Sequence, residues 1–433
     1  PLALVGAPVA GAASWTAPAQ ISSAGDVQFD LAMGTDGTAA VAWVRNGVQV
    51  AIKRPGRPWS APRRVSDGRF GVARPAVTVT GRGEVVVAWT QDSTPNGRPG
   101  PVVGPISIRA RVRGTSGTWG TIRSIGTTGH FLEAGIDLAA NARGEAIAVW
   151  RGVRTLSGGR RTEAVQSAFR RPRMSFGATQ TIREPEPARS SASGAVVALD
   201  DRGTAYAAWT HGAGPVVRLA ARSRGASGSW GTARTLGPAP SSNPIIAVTA
   251  DRTAIVAWRS ANLNSEGEGV QSGPLDVITR LPTGTLTARQ RLSDTPVGSY
   301  RIAVAPDGEA VLSWAARQDA EPAPPGPPGA RVATRPAGGG PFGAPEVLPG
   351  VAPADFHGGV AAVRDGTILL TWSDHTGRAR VVSRPPGGTF SPVAELDTAG
   401  LYPLIASAGD RAVAVWTPVA GEAVRLAGSS RLP

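Results

Sequence analysis

The sequence predicts an all-β protein built from a repeated unit of four short antiparallel strands. A phrase of small and aliphatic residues ending in Trp recurs eight times, at a mean spacing of 53 residues. A second aromatic or large apolar position also recurs eight times, and each copy is followed six residues later by an aliphatic residue. The 433 residues include 56 Gly and 38 Pro, which favours many tight turns over long helices.

The first recurring phrase predicts a β-hairpin. Each Trp is preceded by an aliphatic residue twelve positions earlier, and a short turn such as Asp36-Gly37 or Arg143-Gly144 separates the two apolar runs in most copies. A Gly-containing turn between apolar runs is a hairpin signal, so we name the two strands A and B. Strand B is predicted to end at Trp43, Trp89, Trp150, Trp209, Trp258, Trp314, Trp372 and Trp416.

The second recurring phrase predicts the two remaining strands of the unit. Segments 48–54, 106–113, 216–224, 330–335 and 379–384 have the apolar pattern of a strand C. A Gly-rich link follows, written almost identically at 113–126 and 224–237, and leads into strand D. Strand D begins near Trp15, Trp59, Trp119, Phe176, Trp230, Leu286, Phe342 and Phe390. All twelve Trp fall in these two columns, so we interpret them as structural anchors.

Four strands per unit at this period predict an eight-bladed β-propeller of four-stranded antiparallel blades. The last unit has no strand D, whereas the phrase from Trp15 to Ile21 is a strand D with no preceding A, B and C. We therefore expect the N-terminal strand to complete the C-terminal blade and close the ring, beside the segment around Val424. A superhelical solenoid is the alternative. The predicted parts are a leader or flexible terminus (1–13), a closing strand (14–22), and blades near 23–66, 67–126, 127–183, 184–237, 238–293, 294–349, 350–397 and 398–433.

The link between strands C and D resembles the Asp-box of sialidase-like propellers. The closest stretches are Ser116-Gly117-Thr118-Trp119 and Gly387-Gly388-Thr389-Phe390, both without the Asp of the box. The resemblance implies a propeller fold and a glycan-related activity. The Arg-Ile-Pro motif of sialidases has only a partial counterpart at Arg301-Ile302-Ala303.

Composition narrows the classes of partner. The formal net charge is +14, carried by 44 Arg spread over the whole chain and the single Lys53. A nucleic-acid binder normally clusters Lys and Arg, so this scatter argues against a nucleic-acid partner. The absence of Cys excludes disulfides and thiolate chemistry. Arg is predicted to close strand C in most blades, as a solvated rim or an anion-binding ring: Arg54, Arg113, Arg171, Arg224, Arg280, Arg335 and Arg384.

The N-terminal residues predict export. Leu2 to Ala12 are small and apolar, and Ala10-Gly11-Ala12 has the form of a signal-peptidase site, so we expect a secreted or cell-surface protein. No run of eighteen apolar residues predicts a membrane span.

The candidate binding surface is the rim that carries the B–C loops and the D–A links. These loops vary most between copies, as at 90–105, 151–162, 259–273 and 315–329, and variable loops on a uniform scaffold commonly host binding. The candidate residues form one group at blade 7, suited to weak metal binding or acid–base work, and a looser group at blades 3 and 4. The first group is Asp355, His357, Asp374 and His375, and the second is His130, Glu133 and His211. A few polar residues, Asp30, Asp137 and Arg301, are predicted to face the central channel.

We therefore predict a secreted, non-catalytic propeller that binds a protein or a glycan through this rim. The sequence shows no recognisable catalytic set and implies no cofactor, and it leaves metal binding and oligomeric state open. A glycoside-acting hydrolase or lyase with its site on the same rim is one alternative; paired carboxylates in a central pocket would favour it. A self-assembling surface or filament subunit, which donates its N-terminal strand to a neighbour, is another.

Overall fold

The computed structural model describes residues 15–22, 28–95, 106–129, 135–155, 161–182, 192–211, 216–222, 228–237, 241–260, 273–316, 330–348, 351, 358–417 and 427–431. These residues form antiparallel β-sheets joined by turns, with no helix among them. The prediction of an all-β fold built from four-stranded antiparallel sheets is confirmed.

The first half of the chain forms four successive four-stranded units, numbered here in chain order. A short strand β1 (Ala19–Gln20) precedes them. Unit 1 contains β2 (Phe29–Met33), β3 (Ala39–Val44), β4 (Val48–Lys53) and β5 (Arg63–Arg64). Unit 2 contains β6 (Phe70–Val79), β7 (Val85–Pro95), β8 (Ile106–Arg113) and β9 (Arg123–Gly129). Unit 3 contains β10 (Ile136–Ala140), β11 (Ala146–Thr155), β12 (Arg161–Arg170) and β13 (Gln180–Thr181). Unit 4 contains β14 (Ala192–Leu199), β15 (Ala205–His211), β16 (Val216–Arg222) and β17 (Arg234–Thr235).

The second half repeats the pattern. Units 5 and 6 share one seven-stranded sheet, because the long strand β21 (Gln290–Val304) ends one unit and begins the next. This sheet also contains β18 (Ser241–Val248), β19 (Ala254–Ser260), β20 (Gly273–Arg280), β22 (Ala310–Ala316), β23 (Ala330–Arg335) and β24 (Glu346–Val347). Unit 7 contains β25 (Gly359–Ala362), β26 (Ile368–Ser373), β27 (Ala379–Arg384) and β28 (Ala394–Asp397). Unit 8 contains β29 (Leu401–Ala408), β30 (Arg411–Thr417) and β31 (Ala427–Arg431), with β1 as the fourth strand.

Several strand ends differ from the prediction because the hairpin register decides them. Strand C ends at Lys53 and Arg170 where the sequence predicted Arg54 and Arg171, since Lys53 and Arg170 pair with the first residue of strand B. The predicted Arg224 lies outside the described residues. The described part of the last strand C is β31, and the predicted segment around Val424 lies outside the described residues. Trp416 pairs with Ala427 and Ala412 pairs with Arg431, so this strand also ends on an Arg.

Two predicted B–C loops are shorter than expected. Strand β7 continues past Trp89 to Pro95, and the hairpin of β11 and β12 continues until Thr155 pairs with Arg161. Residues 90–95 and 151–155 are therefore strand and not loop. The predicted loops 259–273 and 315–329 lie mostly outside the described residues.

The core lies on both faces of the second strand of each unit. The eight Trp of these strands are at most 1% exposed, as their role as structural anchors requires. Each Trp belongs to a core cluster shared by neighbouring units; Trp89 of unit 2, for example, lies in one cluster with Val48, Val50 and Val65 of unit 1. Strand B is buried on both faces for the same reason, whereas most residues of the first strands β2, β10, β18 and β29 are half-buried.

Neighbouring units contact each other through their first strands. The first strand of each unit contacts the first strand of the next, and β29 of unit 8 contacts β2 of unit 1. At the chain ends, Ala19 pairs with Gly428 and Gln20 with Ala427. Valines of β30 pack together with Ile21 and Trp43. Among the described residues, no helical segment has the length and apolar character that crossing a membrane requires.

Candidate functional site

The predicted rim residues are only partly described. His130, Glu133, Asp355 and His357 lie outside the described residues. His211 is not an exposed loop residue as predicted. It ends strand β15, pairs with Ala192 and Val216 on either side, and is 5% exposed, because the hairpin extends two residues past Trp209. His375 is exposed in the turn after β26.

Asp374 organises the turn in which it lies. Its Oδ1 atom accepts hydrogen bonds from the amides of Thr376 and Arg378 at 2.9 and 3.0 Å, and its Oδ2 atom accepts one from the Arg380 guanidinium at 2.8 Å. Burial opposes ionisation, but the hydrogen bonds outweigh it and hold the pKa of Asp374 well below its usual range. The carboxylate therefore stays charged and stabilises the turn. A group that remains ionised in this way does not suit proton transfer. In the described part of the chain, no three His, Asp or Glu side chains converge as metal ligands would.

Asp30 and Asp137 connect the first strands of neighbouring units. Asp30 accepts hydrogen bonds from the Val77 amide of unit 2 at 2.8 Å and from the Leu31 amide at 2.9 Å. Asp137 likewise accepts hydrogen bonds from the Val197 amide of unit 4 at 2.7 Å and from the Leu138 amide at 3.0 Å. The first strand of a four-stranded unit has one edge without a partner strand. Each carboxylate therefore accepts one hydrogen bond from an amide of its own strand and one from an amide of the next unit's first strand.

These two carboxylates titrate near neutrality. Burial raises the pKa of Asp30 to about 6, against the two amide hydrogen bonds that lower it. Burial raises the pKa of Asp137 to about 7, and the charge of Asp30 adds to the effect. A catalytic acid has such a pKa, but here both oxygens of each carboxylate are bound by backbone amides. We therefore interpret the pair as structural links between neighbouring units. Arg301, from the same predicted set, contacts solvent and donates a hydrogen bond to the Tyr300 carbonyl at 2.9 Å.

Grooves lie between neighbouring units on the face that carries the A–B and C–D turns, opposite the predicted rim. They have volumes of about 550 Å³ between units 1 and 2, 390 Å³ between units 2 and 3, 680 Å³ between units 4 and 5, and 270 Å³ between units 8 and 1. Each contains Arg side chains and residues of a C–D turn, and the first three also contain an apolar side chain that opens strand D. Residues from two units form each groove, so the pattern of a single unit in the sequence does not predict them.

The groove between units 1 and 2, called here the 1–2 groove, is the most distinctive. It is lined by Trp59 and Trp119, both half-buried, and by Arg54, Arg57, Arg63 and Arg113. An indole ring offers an apolar face to a ligand, and a guanidinium offers several fixed hydrogen-bond donors. Arg and aromatic side chains together suit a ligand with both apolar and polar faces, such as a sugar ring.

Comparisons with known proteins identify the fold. The scan against protein-family models and the search of curated proteins both find no match. Among solved structures, the chain is similar to an ulvan lyase of polysaccharide lyase family PL25, with a TM-score of 0.52 and 12% identity over 83% of this chain and 93% of that one. It is also similar to a lectin from Burkholderia pseudomallei, with a TM-score of 0.52 and 12% identity over 86% of this chain and 99% of that one. A sialidase from Trypanosoma rangeli has a TM-score of 0.44 and 9% identity over 95% of this chain and 59% of that one.

The fold is a β-propeller. The four-stranded antiparallel sheets match the blades of this architecture, and the predicted fold family is confirmed at that level. At 12% identity the likeness concerns the fold alone.

Proposed function

We propose that the protein is a non-catalytic, eight-bladed β-propeller that binds a glycan. The observation that carries the proposal is the set of inter-unit grooves, of which the 1–2 groove combines two half-buried Trp with four Arg. Their volumes of about 270 to 680 Å³ approach or lie within the range of roughly 300–1,000 Å³ typical of ligand sites. The similar solved structures include a polysaccharide lyase and a lectin, which supports a saccharide as the ligand.

The eight units form a closed ring in this proposal. The pairing of β1 with β31 supplies unit 8 with its fourth strand, and the contact between β29 and β2 brings the last unit beside the first. A ring leaves no exposed sheet edge at the junction of the chain ends. This arrangement favours a monomer over a filament in which β1 is donated to a neighbour.

The binding function does not need a catalytic step. Asp30 and Asp137, the described carboxylates with pKa values near neutrality, are bound by backbone amides. We also propose, from the apolar segment 2–12, that the protein is secreted or displayed at the cell surface. A contribution of the rim around His375 stays a prediction.

The test is a binding array of neutral and acidic polysaccharides, with chain cleavage measured in parallel as new reducing ends. We expect retention of at least one polysaccharide class without cleavage. Retention of none would refute glycan binding, and cleavage would refute the non-catalytic assignment. The variant His375→Ala tests the rim, because weakened binding would place the ligand there, whereas unchanged binding favours the grooves.

A further inference from the structure

A charge pair connects successive units at the end of strand C. Arg170 ends strand C of unit 3 and donates to Glu84 of unit 2 at 2.8 Å, with Arg170 1% and Glu84 3% exposed. Arg384 of unit 7 donates to Glu309 of unit 6 at 3.0 Å. Each of these Glu residues directly precedes strand B, so the pair is a repeated feature in which one unit supplies the acid and the next supplies the base.

Unit 1 lacks the acid of this pair. Thr38 directly precedes strand β3, at the position that Glu84 occupies before β7 and Glu309 before β22. Arg113 ends strand C of unit 2, where it pairs with Val85 as Arg170 pairs with Ala146 in unit 3. Unit 2 therefore has the Arg of the charge pair, but unit 1 has no carboxylate at the position that would bind it.

The cation at this position lies in the 1–2 groove among other cations. Among the described residues, no carboxylate forms an ion pair with Arg54, Arg57, Arg63 or Arg113. A Cβ atom placed on Gly117 would lie 2.8 Å from a guanidinium nitrogen of Arg113 and 3.9 Å from one of Arg54, so both groups lie at the same turn. Burial, with the charges of Arg54 and Arg63, lowers the pKa of Arg113. Repulsion of this kind favours an external anion at the groove.

Asp36, the carboxylate in the A–B turn of unit 1, is bound within its own turn. Asp36 accepts hydrogen bonds from the Thr38 amide at 3.0 Å and from the Thr38 hydroxyl at 2.8 Å. The groove between units 2 and 3 provides an internal comparison, because Glu84 lines it together with Arg170. The two grooves thus share their architecture and differ in whether the protein supplies the negative charge.

We propose that the 1–2 groove binds an acidic polysaccharide, with a sulfate or carboxylate group of the sugar in the place that Glu84 and Glu309 take in other units. The inference rests on the proposed glycan binding and specifies its class of ligand. Trp59 and Trp119 contact the sugar rings, while Arg113 and Arg54 bind the anionic group. Arg binds carboxylates and sulfate-like anions through paired, charge-assisted hydrogen bonds.

The experiment compares dextran sulfate with uncharged dextran, and includes alginate as a carboxylate polymer and duplex DNA as a different polyanion. Three variants each lower the formal net charge of +14 by one, which controls for general electrostatic attraction. Arg113→Gln removes the cation, and Thr38→Glu supplies the missing internal acid. Arg364→Gln removes an exposed Arg from the A–B turn of unit 7, outside the described grooves.

We expect the wild-type protein to prefer dextran sulfate or alginate over dextran, and Arg113→Gln and Thr38→Glu to weaken that binding about tenfold. Arg364→Gln is expected to keep wild-type affinity. Thermal midpoints check folding, and Arg113→Gln decides the question if Thr38→Glu does not fold.

Four results would overturn the proposal. Equal weakening in all three variants would show general charge attraction, and DNA binding with the same dependence on Arg113 would show a nucleic-acid site. Binding of uncharged dextran that is insensitive to Arg113→Gln would reject the acidic groove while glycan binding stands. Retention of no polysaccharide at all would reject glycan binding itself.

Discussion

Single residues of this protein often act on two units at once. Asp30 and Asp137 bind amides of their own strand and of the next unit, and Arg170 and Arg384 reach an acid of the preceding unit. Such contacts join residues distant in sequence; Glu84 and Arg170 are 86 positions apart. The 1–2 groove depends on the same position, because Thr38 of unit 1 stands where Glu84 stands in unit 2 and Glu309 in unit 6, as Thr204, Thr253 and Thr367 do in units 4, 5 and 7.

The titration of Asp137 makes a prediction about stability and pH. Its pKa is 3.8 without the protein environment and about 7 in the folded chain, so between these values the folded state binds more protons than the unfolded state. The contribution of Asp137 to the free energy of unfolding therefore decreases as pH rises from about 4 to 7, by a few kcal/mol at most. Urea denaturation of the wild type and Asp137→Asn at pH 4.5 and pH 7.5 measures the difference. We expect the wild type to lose stability relative to the variant at the higher pH, and a constant difference would contradict the pKa shift.

At the scale of the elements, the two nearly identical segments between strands C and D, 113–126 and 224–237, have a packing role. Each segment ends in a Gly, Gly126 or Gly237, that lies against the Trp of the following unit. A Cβ atom on Gly126 would lie 2.2 Å from the ring of Trp150, and one on Gly237 would lie 2.8 Å from the ring of Trp258. At these two positions an added side chain would collide with the indole ring of the next unit, so the close packing there requires Gly.

This contact predicts a cost for the smallest substitution. Gly126→Ala is expected to lower the free energy of unfolding by about 1–3 kcal/mol, because the added methyl group forces the buried indole of Trp150 to move. Gly135→Ala is the matched control, since no atom lies within 4 Å of its added Cβ. Chemical denaturation checks both variants. Equal stability of the two would contradict the packing account.

The sequence predicted the elements that repeat and missed those that depend on register. The Trp columns correctly gave strand B and the core, because a large apolar residue that recurs at a fixed period occupies the same buried position in every unit. His211 was assigned to an exposed loop because the sequence does not show how far a hairpin continues. The grooves were missed because the sequence of one unit does not show the partner of an Arg at the end of strand C. Whether Arg113 forms an internal ion pair or is available to a ligand depends on the residue that faces it in the preceding unit. An alignment of the residues that precede each strand B would have shown Thr38 at the position of Glu84, and so the missing acid of unit 1.

At the scale of the whole molecule, the proposed function depends on closure of the ring by the chain ends. Ala19 of β1 and Gly428 of β31 are directly paired across the junction. If this pairing persists in solution within one chain, the grooves keep their places around a rigid ring. If β1 is donated to a neighbour, the protein is an assembling subunit instead.

A cysteine cross-link measures closure directly, because the chain contains no Cys. Directly paired residues of adjacent antiparallel strands have Cα atoms about 4.5–5.5 Å apart, within the range that a disulfide spans. The double variant Ala19→Cys with Gly428→Cys is oxidised and analysed by non-reducing electrophoresis and mass, with each single variant as control. Closure within one chain predicts an intramolecular disulfide in a monomer for the double variant. Free thiols, or covalent chains of linked subunits, would contradict it.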